Sequence, residues 1–209
     1  MADYKFTYFD GRGRVEVIRY IFAVAEVEYE DIRFKDLPDW FSKKAEFDAP
    51  FGQLPVMDID GVRYCQTLAI ARYLANKYGL AGNDPIQQLR CDMIVDCCMD
   101  LKFPLTQTLY EQDEAKKAEM KKKYEEEQLP DYLLKMEKLL KQNQDGDGWF
   151  VGDKMTWADL SFMDSLSWSD TLGVKVNLDP VPKLEALLGK VKGHPKVMEW
   201  MEKRPKTPY

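Results

Sequence analysis

The residues with chemical potential stand at the ends of short apolar runs. Tyr8 closes the alternating segment Tyr4-Lys5-Phe6-Thr7-Tyr8, so its phenol is expected at the mouth of a sheet, and Arg14 follows at the start of a helix. Gln53-Leu54-Pro55-Val56 sets a proline at the entry to a later strand, and Gln66-Thr67 stands between a hairpin and a helix. A helix N-terminus offers free backbone N–H groups and the positive end of the helix dipole. Thr67 therefore reads as an anion site, as an N-cap, or as both. Trp40 and Lys44 are four residues apart and would share a helix face, as would Asp96 and Asp100. Plainer readings stand beside these. Tyr8 is also a good buried strand aromatic, Arg14 and Lys44 good solvated charges, and the two aspartates good exposed helix charges.

Other chemistries find little support. The four cysteines are Cys65, Cys91, Cys97 and Cys98, with no Cys-x-x-Cys, and the one histidine is His194. Zinc sites and dithiol redox chemistry are therefore not expected, and the thiols read as small buried hydrophobes of a reducing compartment. Nothing around Gly193-His194-Pro195 suggests Ser-His or Cys-His catalysis. Gly11-Arg12-Gly13 lacks the rest of a dinucleotide fingerprint and reads as a bend. Thr156-Trp157-Ala158-Asp159 reads as a capping box, with Asp in the usual place of Glu or Gln, and is assigned to folding.

These residues must be held by a scaffold of 209 residues, enough for one or two domains and for a core without staples. Thirty basic and 36 acidic side chains give a net charge of −6, and residues 1–80 carry 11 and 13 of them. No region has the basic excess that nucleic acid demands. The apolar runs, such as Ile21 to Ala25, are too short to span a bilayer, so no membrane association is expected. Met-Ala-Asp-Tyr-Lys has no signal-peptide core, which points to the cytoplasm.

The first 80 residues alternate between strand and helix. Tyr4 to Tyr8 and Tyr29 to Phe34 read as strands, and Val15, Ile18, Phe22 and Ala25 recur at helical spacing. Asp36 to Phe47 reads as a short irregular helix opened by Pro38. Val56 to Ile59 and Val62 to Cys65 flank the hairpin signal Asp60-Gly61, and Leu68 to Leu74 begin another helix. The order is β-α-β-α-β-β-α. Gly79 to Asp84 reads as a linker. Beyond it, helices are expected from Pro85 to Tyr110, from Glu114 to Lys141, and at 157–169, 180–191 and 195–203. The charged run Lys116 to Glu127 reads as a solvated helix face. The expected domains are 1–80, α/β, and 85–209, all-α.

An α/β domain followed by an all-helical one suggests a thioredoxin-fold enzyme with a helical extension. Particular segments sharpen this: Tyr4-Lys5-Phe6-Thr7-Tyr8-Phe9, Gly13-Arg14, Arg19-Tyr20, Ala69-Ile70-Ala71-Arg72-Tyr73-Leu74 and Met155-Thr156-Trp157-Ala158-Asp159. On these the chain resembles the sigma class of the cytosolic glutathione transferases, over essentially its whole length.

The resemblance implies a homodimer that binds glutathione as co-substrate and conjugates it to small apolar electrophiles, a detoxifying activity. A thiol of pKa about 8.5 is only about 3% ionised at pH 7, and a two-unit shift, worth roughly 2.7 kcal/mol, makes it mostly thiolate. Tyr8 would supply that shift by donating a hydrogen bond to the charged form, with Arg14 adding a positive field. Gln66 and Thr67 would hold the γ-glutamyl carboxylate. Leu54, before an implied cis-proline, would pair its backbone with the cysteinyl unit, beside Gly52 and Gln53. Trp40 and Lys44 would reach the glycine carboxylate, and Asp100 would cross to the partner subunit's γ-glutamyl amino group. Met99 stands where one member of this class carries a third acid associated with magnesium, so no metal is expected. The electrophile would lie in a cleft between the domains, against Phe9, Gly13, Phe103, Ser161, Ser165 and Tyr209. Two rival readings are a glutathione-dependent prostaglandin isomerase and a non-enzymatic crystallin or ligand carrier.

Overall fold

In the computed structural model, which describes residues 3–207, the chain runs in the order expected from its sequence. Strand β1 (Tyr4–Phe9) is followed by α1 (Glu16–Val24), β2 (Glu30–Phe34), α2 (Leu37–Phe47), β3 (Val56–Ile59), β4 (Val62–Cys65) and α3 (Thr67–Lys77). The strands form one mixed sheet in the order β2-β1-β3-β4. β1 and β2 are parallel, and α1 makes the crossover that such a pair requires. β3 runs antiparallel to both β1 and β4. The turn between β3 and β4 has positive φ at both central residues, Asp60 (50°) and Gly61 (84°), the geometry for which Asp-Gly is suited.

Tyr4, Phe6 and Tyr8 share the buried face of β1, as the alternation predicts. α1 is buried almost all round, because it packs against α3 on one side and against α9 (Pro195–Lys203) on the other. Here the structure departs from the expected boundary at residue 85. The segment from Pro195 onward belongs with the α/β unit, which otherwise ends at Tyr78, and the second unit spans Gly79–His194.

That second unit is helical throughout: α4 (Pro85–Tyr110), α5 (Glu114–Lys123), α6 (Leu129–Leu140), α7 (Trp157–Thr171) and α8 (Pro182–Lys192). α4 opens at Asp84, whose carboxylate accepts from the N–H groups of Ile86 and Gln87 at 2.9 Å each. From Glu114 to Leu140 the chain stays helical, as the sequence suggests, but not as one regular α-helix. Pro130 cannot donate to the helical ladder, and a π-turn at Tyr124–Gln128 takes up the mismatch before α6 begins. α7 packs against α4 and α8 with Trp157 to Leu166 all buried. Its capping box forms. The Asp159 carboxylate accepts from Thr156 N (2.7 Å), Thr156 Oγ1 (2.9 Å) and Phe150 N (2.9 Å). Burial pushes the Asp159 carboxyl up to about 6 against those bonds. Cys91 and Cys98 lie in this core, and burial pushes both thiols up to about 12. Among the described residues no helix is long and apolar enough to cross a membrane.

Candidate active site

Strand register gathers Tyr8, Leu54, Gln66 and the start of α2 at one end of the sheet. Thr7 pairs with Val56, and Val56 pairs with Cys65. Tyr8 is one residue past that row, Leu54 two before it, and Gln66 one beyond it. The parallel pairing of Phe9 with Phe34 brings the start of α2 to the same end.

Tyr8 is only 8% exposed. Its phenol lies against Gly13, where φ is +49° and a Cβ would stand 2.6 Å from Tyr8 Cε1 and 2.7 Å from its hydroxyl oxygen. Only glycine fits that approach and that backbone angle. Gly13 begins a 3₁₀ turn, Gly13–Val15, that carries Arg14 out into solvent. Phe9 packs edge-on to the Tyr8 ring, with centroids 5.3 Å apart.

Leu54–Pro55 is a cis peptide. Leu54 precedes the sheet pairing, and among the described residues its backbone N–H and C=O take no partner. Gln66 holds φ +76°, unusual for a residue with a side chain, and is itself the N-cap of α3. Thr67 is therefore the first helical residue rather than the cap. No side chain caps the helix, and the N–H groups of Thr67, Leu68 and Ala69 have no partner within the described chain. This is an open anion-binding end.

Trp40 is a core residue at 4% exposure, edge-on to Phe34 (5.0 Å) and Phe47 (5.7 Å). Its neighbour on the helix face, Lys44, is half-buried and turns toward Gly52. A Cβ on Gly52, at φ +59°, would come within 3.1 Å of Lys44 Cε and 3.4 Å of Nζ. α2 is fixed at both ends. Asp36 accepts from Asp39 N at 2.8 Å, while Arg63 of β4 donates to the carbonyls of Phe47 and of Asp48, the latter at 3.2 Å. Gln53 is exposed.

In the helical unit Asp96 and Asp100 both face solvent on α4, and Phe103 is 63% exposed on the same helix. Ser161 and Ser165 differ from expectation. Both are fully buried along α7, where Ser165 Oγ donates to the Ser161 carbonyl at 2.7 Å. Ser165 satisfies its hydroxyl in this way, whereas the Ser161 hydroxyl has no hydrogen-bond partner among the described residues; with no exposed surface neither lines a ligand pocket. Gly13 is likewise committed to Tyr8, and Tyr209 lies outside the described residues. Among the described residues no three His, Cys, Asp or Glu side chains gather as a metal cage.

A buried charge network on α1 adds to the residues expected from the sequence. Glu16 and Arg19 are both buried on α1 and form an ion pair at 3.2 Å. An acid and a base three apart in an otherwise apolar helix are its sequence signal.

With the sheet end, the open helix terminus and the Tyr8–Gly13 pair described, the comparison with known proteins is unambiguous. Residues 4–76 match the glutathione S-transferase N-terminal domain, and residues 99–204 match the glutathione S-transferase C-terminal domain. The chain belongs to the glutathione S-transferase family, a family of transferases. It is 40% identical to a hematopoietic prostaglandin D synthase of Gallus gallus, over 99% of each chain. It is 35% identical to S-crystallin SL11 of Nototodarus sloanii, over the full length of both. A Nu-class transferase structure from Haemonchus contortus superimposes with a TM-score of 0.87 at 35% identity, covering both chains completely.

Proposed function

We propose that this chain is a sigma-class glutathione transferase that activates the thiol of glutathione at Tyr8 and conjugates it to small apolar electrophiles. The observation that carries the reading is the single end of the sheet shared by Tyr8, the unpaired Leu54 backbone and the uncapped N-terminus of α3. Those three features match the γ-glutamyl and cysteinyl parts of an extended γ-glutamyl tripeptide, and Lys44 serves its glycine end. The free N–H groups of α3, with Gln66 and Thr67, donate to the γ-glutamyl carboxylate. Leu54 N–H and C=O pair with the cysteinyl unit like a short added strand. Lys44, beside Gly52, Gln53 and the Trp40 edge, meets the glycine carboxylate.

Chemistry follows from placement. The cysteinyl sulfur sits by Tyr8, whose O–H donates to the thiolate and favours it over the thiol. Arg14 adds positive charge at the same turn. The thiol proton leaves to solvent, sulfur attacks the electrophilic carbon, a C–S bond forms, and the leaving group departs with its electron pair. Phe9 and Phe103 are the residues proposed to meet the electrophile. The chain acts as a homodimer, in which Asp100 of one copy meets the γ-glutamyl ammonium bound by the other. Exposed Phe51, Ile86, Leu89 and Met93 supply apolar surface that a second copy would cover. A cytoplasmic, detoxifying role suits this chemistry.

The relative from Gallus gallus favours a second reading, isomerisation of a prostaglandin endoperoxide by the same thiolate. Conjugation of glutathione to a chloronitrobenzene tests the primary reading. Turnover that depends on Tyr8 supports it, and absence of turnover in folded protein that binds glutathione would leave the isomerase or a crystallin-like role.

A further inference from the structure

A chain of buried charges connects the C-terminal segment to the turn that packs on Tyr8. The Glu16 carboxylate, 1% exposed, is shared among three donors. Trp200 Nε1 and Arg204 Nη1 each donate to Oε1 at 2.8 Å, and Arg19 Nη1 donates to Oε2 at 3.2 Å. The same Arg19 Nη1 donates to the carbonyl of Gly11 at 2.6 Å. On its far side Arg19 reaches Asp31, with Nε 3.4 Å from Oδ2. Arg33 closes the ring, donating to Asp31 at 2.7 and 2.9 Å and to Asp10 at 3.1 Å. Asp10 and Gly11 are thus pinned by two arginines, and two residues later Gly13 presses on the Tyr8 phenol.

We propose that Arg204 and Arg19, joined through Glu16, are positioning residues for Tyr8: the C-terminal segment holds the Gly11–Gly13 turn that sets where the phenol points. This rests on the function proposed above. The coupling has a definite physical route. One Arg19 nitrogen serves both Glu16 and the Gly11 carbonyl. Glu16 is satisfied by two cations and an indole N–H, so it leaves that nitrogen available to Gly11. Removing Arg204 leaves a buried carboxylate short of one cation. Glu16 then draws Arg19 more strongly, the hold on Gly11 loosens, and the turn against Tyr8 shifts. A misplacement on the scale of 1 Å can cost up to about 10²-fold in rate. Glutathione's carboxylate contacts, at α3 and Lys44, involve none of these residues.

Arg204→Met keeps the length of the side-chain stem and removes the charge, together with the hydrogen bond that Nη1 donates to the Tyr20 hydroxyl at 3.0 Å. In the full-length protein it is expected to lower kcat for chloronitrobenzene conjugation by roughly 10-fold, with KM for glutathione within about twofold of wild type. The titration midpoint of the bound thiol, followed by thiolate ultraviolet absorbance, should move upward. Arg204→Lys restores a cation at Glu16 and should recover most of both. Wild-type kcat and an unmoved midpoint in folded Arg204→Met would overturn the coupling. If that variant does not fold, Trp200→Phe carries the test, since it deletes one hydrogen bond to the same Glu16 oxygen. A raised midpoint supports the proposal, and a wild-type midpoint overturns it. Tyr8→Phe, measured alongside, separates the two levels. If it titrates as wild type, the proposed function itself fails. If it is shifted while the Arg204 and Trp200 variants are not, only the coupling fails.

Discussion

Gly13 and Tyr8 are in mutual contact so close that a single added carbon would collide with the phenol: a Cβ on Gly13 would stand 2.7 Å from the Tyr8 hydroxyl oxygen. The glycine's φ of +49° removes any easy relaxation. The turn that presents Arg14 and the strand end that presents Tyr8 are therefore built as one piece.

Gly13→Ala should damage activity more than stability. The strained backbone costs of order 1–3 kcal/mol, while the displaced phenol should reduce kcat by roughly 10- to 100-fold. Urea unfolding beside steady-state kinetics measures both. Full activity in Gly13→Ala would show that the close contact has no role in placing Tyr8.

Asp100→Asn keeps shape and removes charge. A carboxylate facing an ammonium group contributes about 1.5–3 kcal/mol, so glutathione binding should weaken roughly 10-fold or more by calorimetry, with the dimer intact by sedimentation. A mixed dimer, Asp100→Asn in one chain and Tyr8→Phe in the other, should keep one wild-type site, on the chain carrying Asp100→Asn. A weakened homodimer whose mixed form has no wild-type site would place the contact within one subunit.

The Asp159 carboxyl titrates near 6 when folded, raised by burial above its ordinary 3.8. The folded state therefore holds its proton more tightly than the unfolded chain between those values. Stability from this group rises as pH falls from about 7 to 5, by about 1 kcal/mol. Asp159→Asn lacks the titration. The stability difference between wild type and Asp159→Asn should shift in favour of wild type by that amount between pH 7 and pH 5. A constant difference across that range would contradict the raised value.

The sheet and its functional end were legible because their signals are local. Alternation marks β1, Asp60-Gly61 marks the hairpin, and the residues just past each strand fall together once the strands pair. What escaped depended on partners far away in sequence. Nothing in Pro195 to Lys203 says that its apolar face belongs on α1 rather than on the helices before it. The sequence offers Ser161 and Ser165 as pocket residues, yet both vanish into the core, Ser165 by donating to the preceding helical turn. The π-turn at Tyr124–Gln128 lies in a charge-rich run whose helical pattern continues across it, and only Pro130 hints at the change of pitch. Glu16 and Arg19 were visible as misplaced charges in an apolar helix, but Trp200 and Arg204, which complete their network, lie more than 180 residues away.

Tyr8 is proposed to act by controlling the ionisation of bound glutathione. Its thiolate absorbance should be titrated in wild type and in Tyr8→Phe, which removes one hydroxyl and almost no volume. The expected wild-type midpoint lies about two units below the free thiol's ~8.5, returning toward that value in Tyr8→Phe, with conjugation falling about 10²–10³-fold. The same midpoint in both proteins would contradict the assignment of Tyr8 as the group that makes the thiolate.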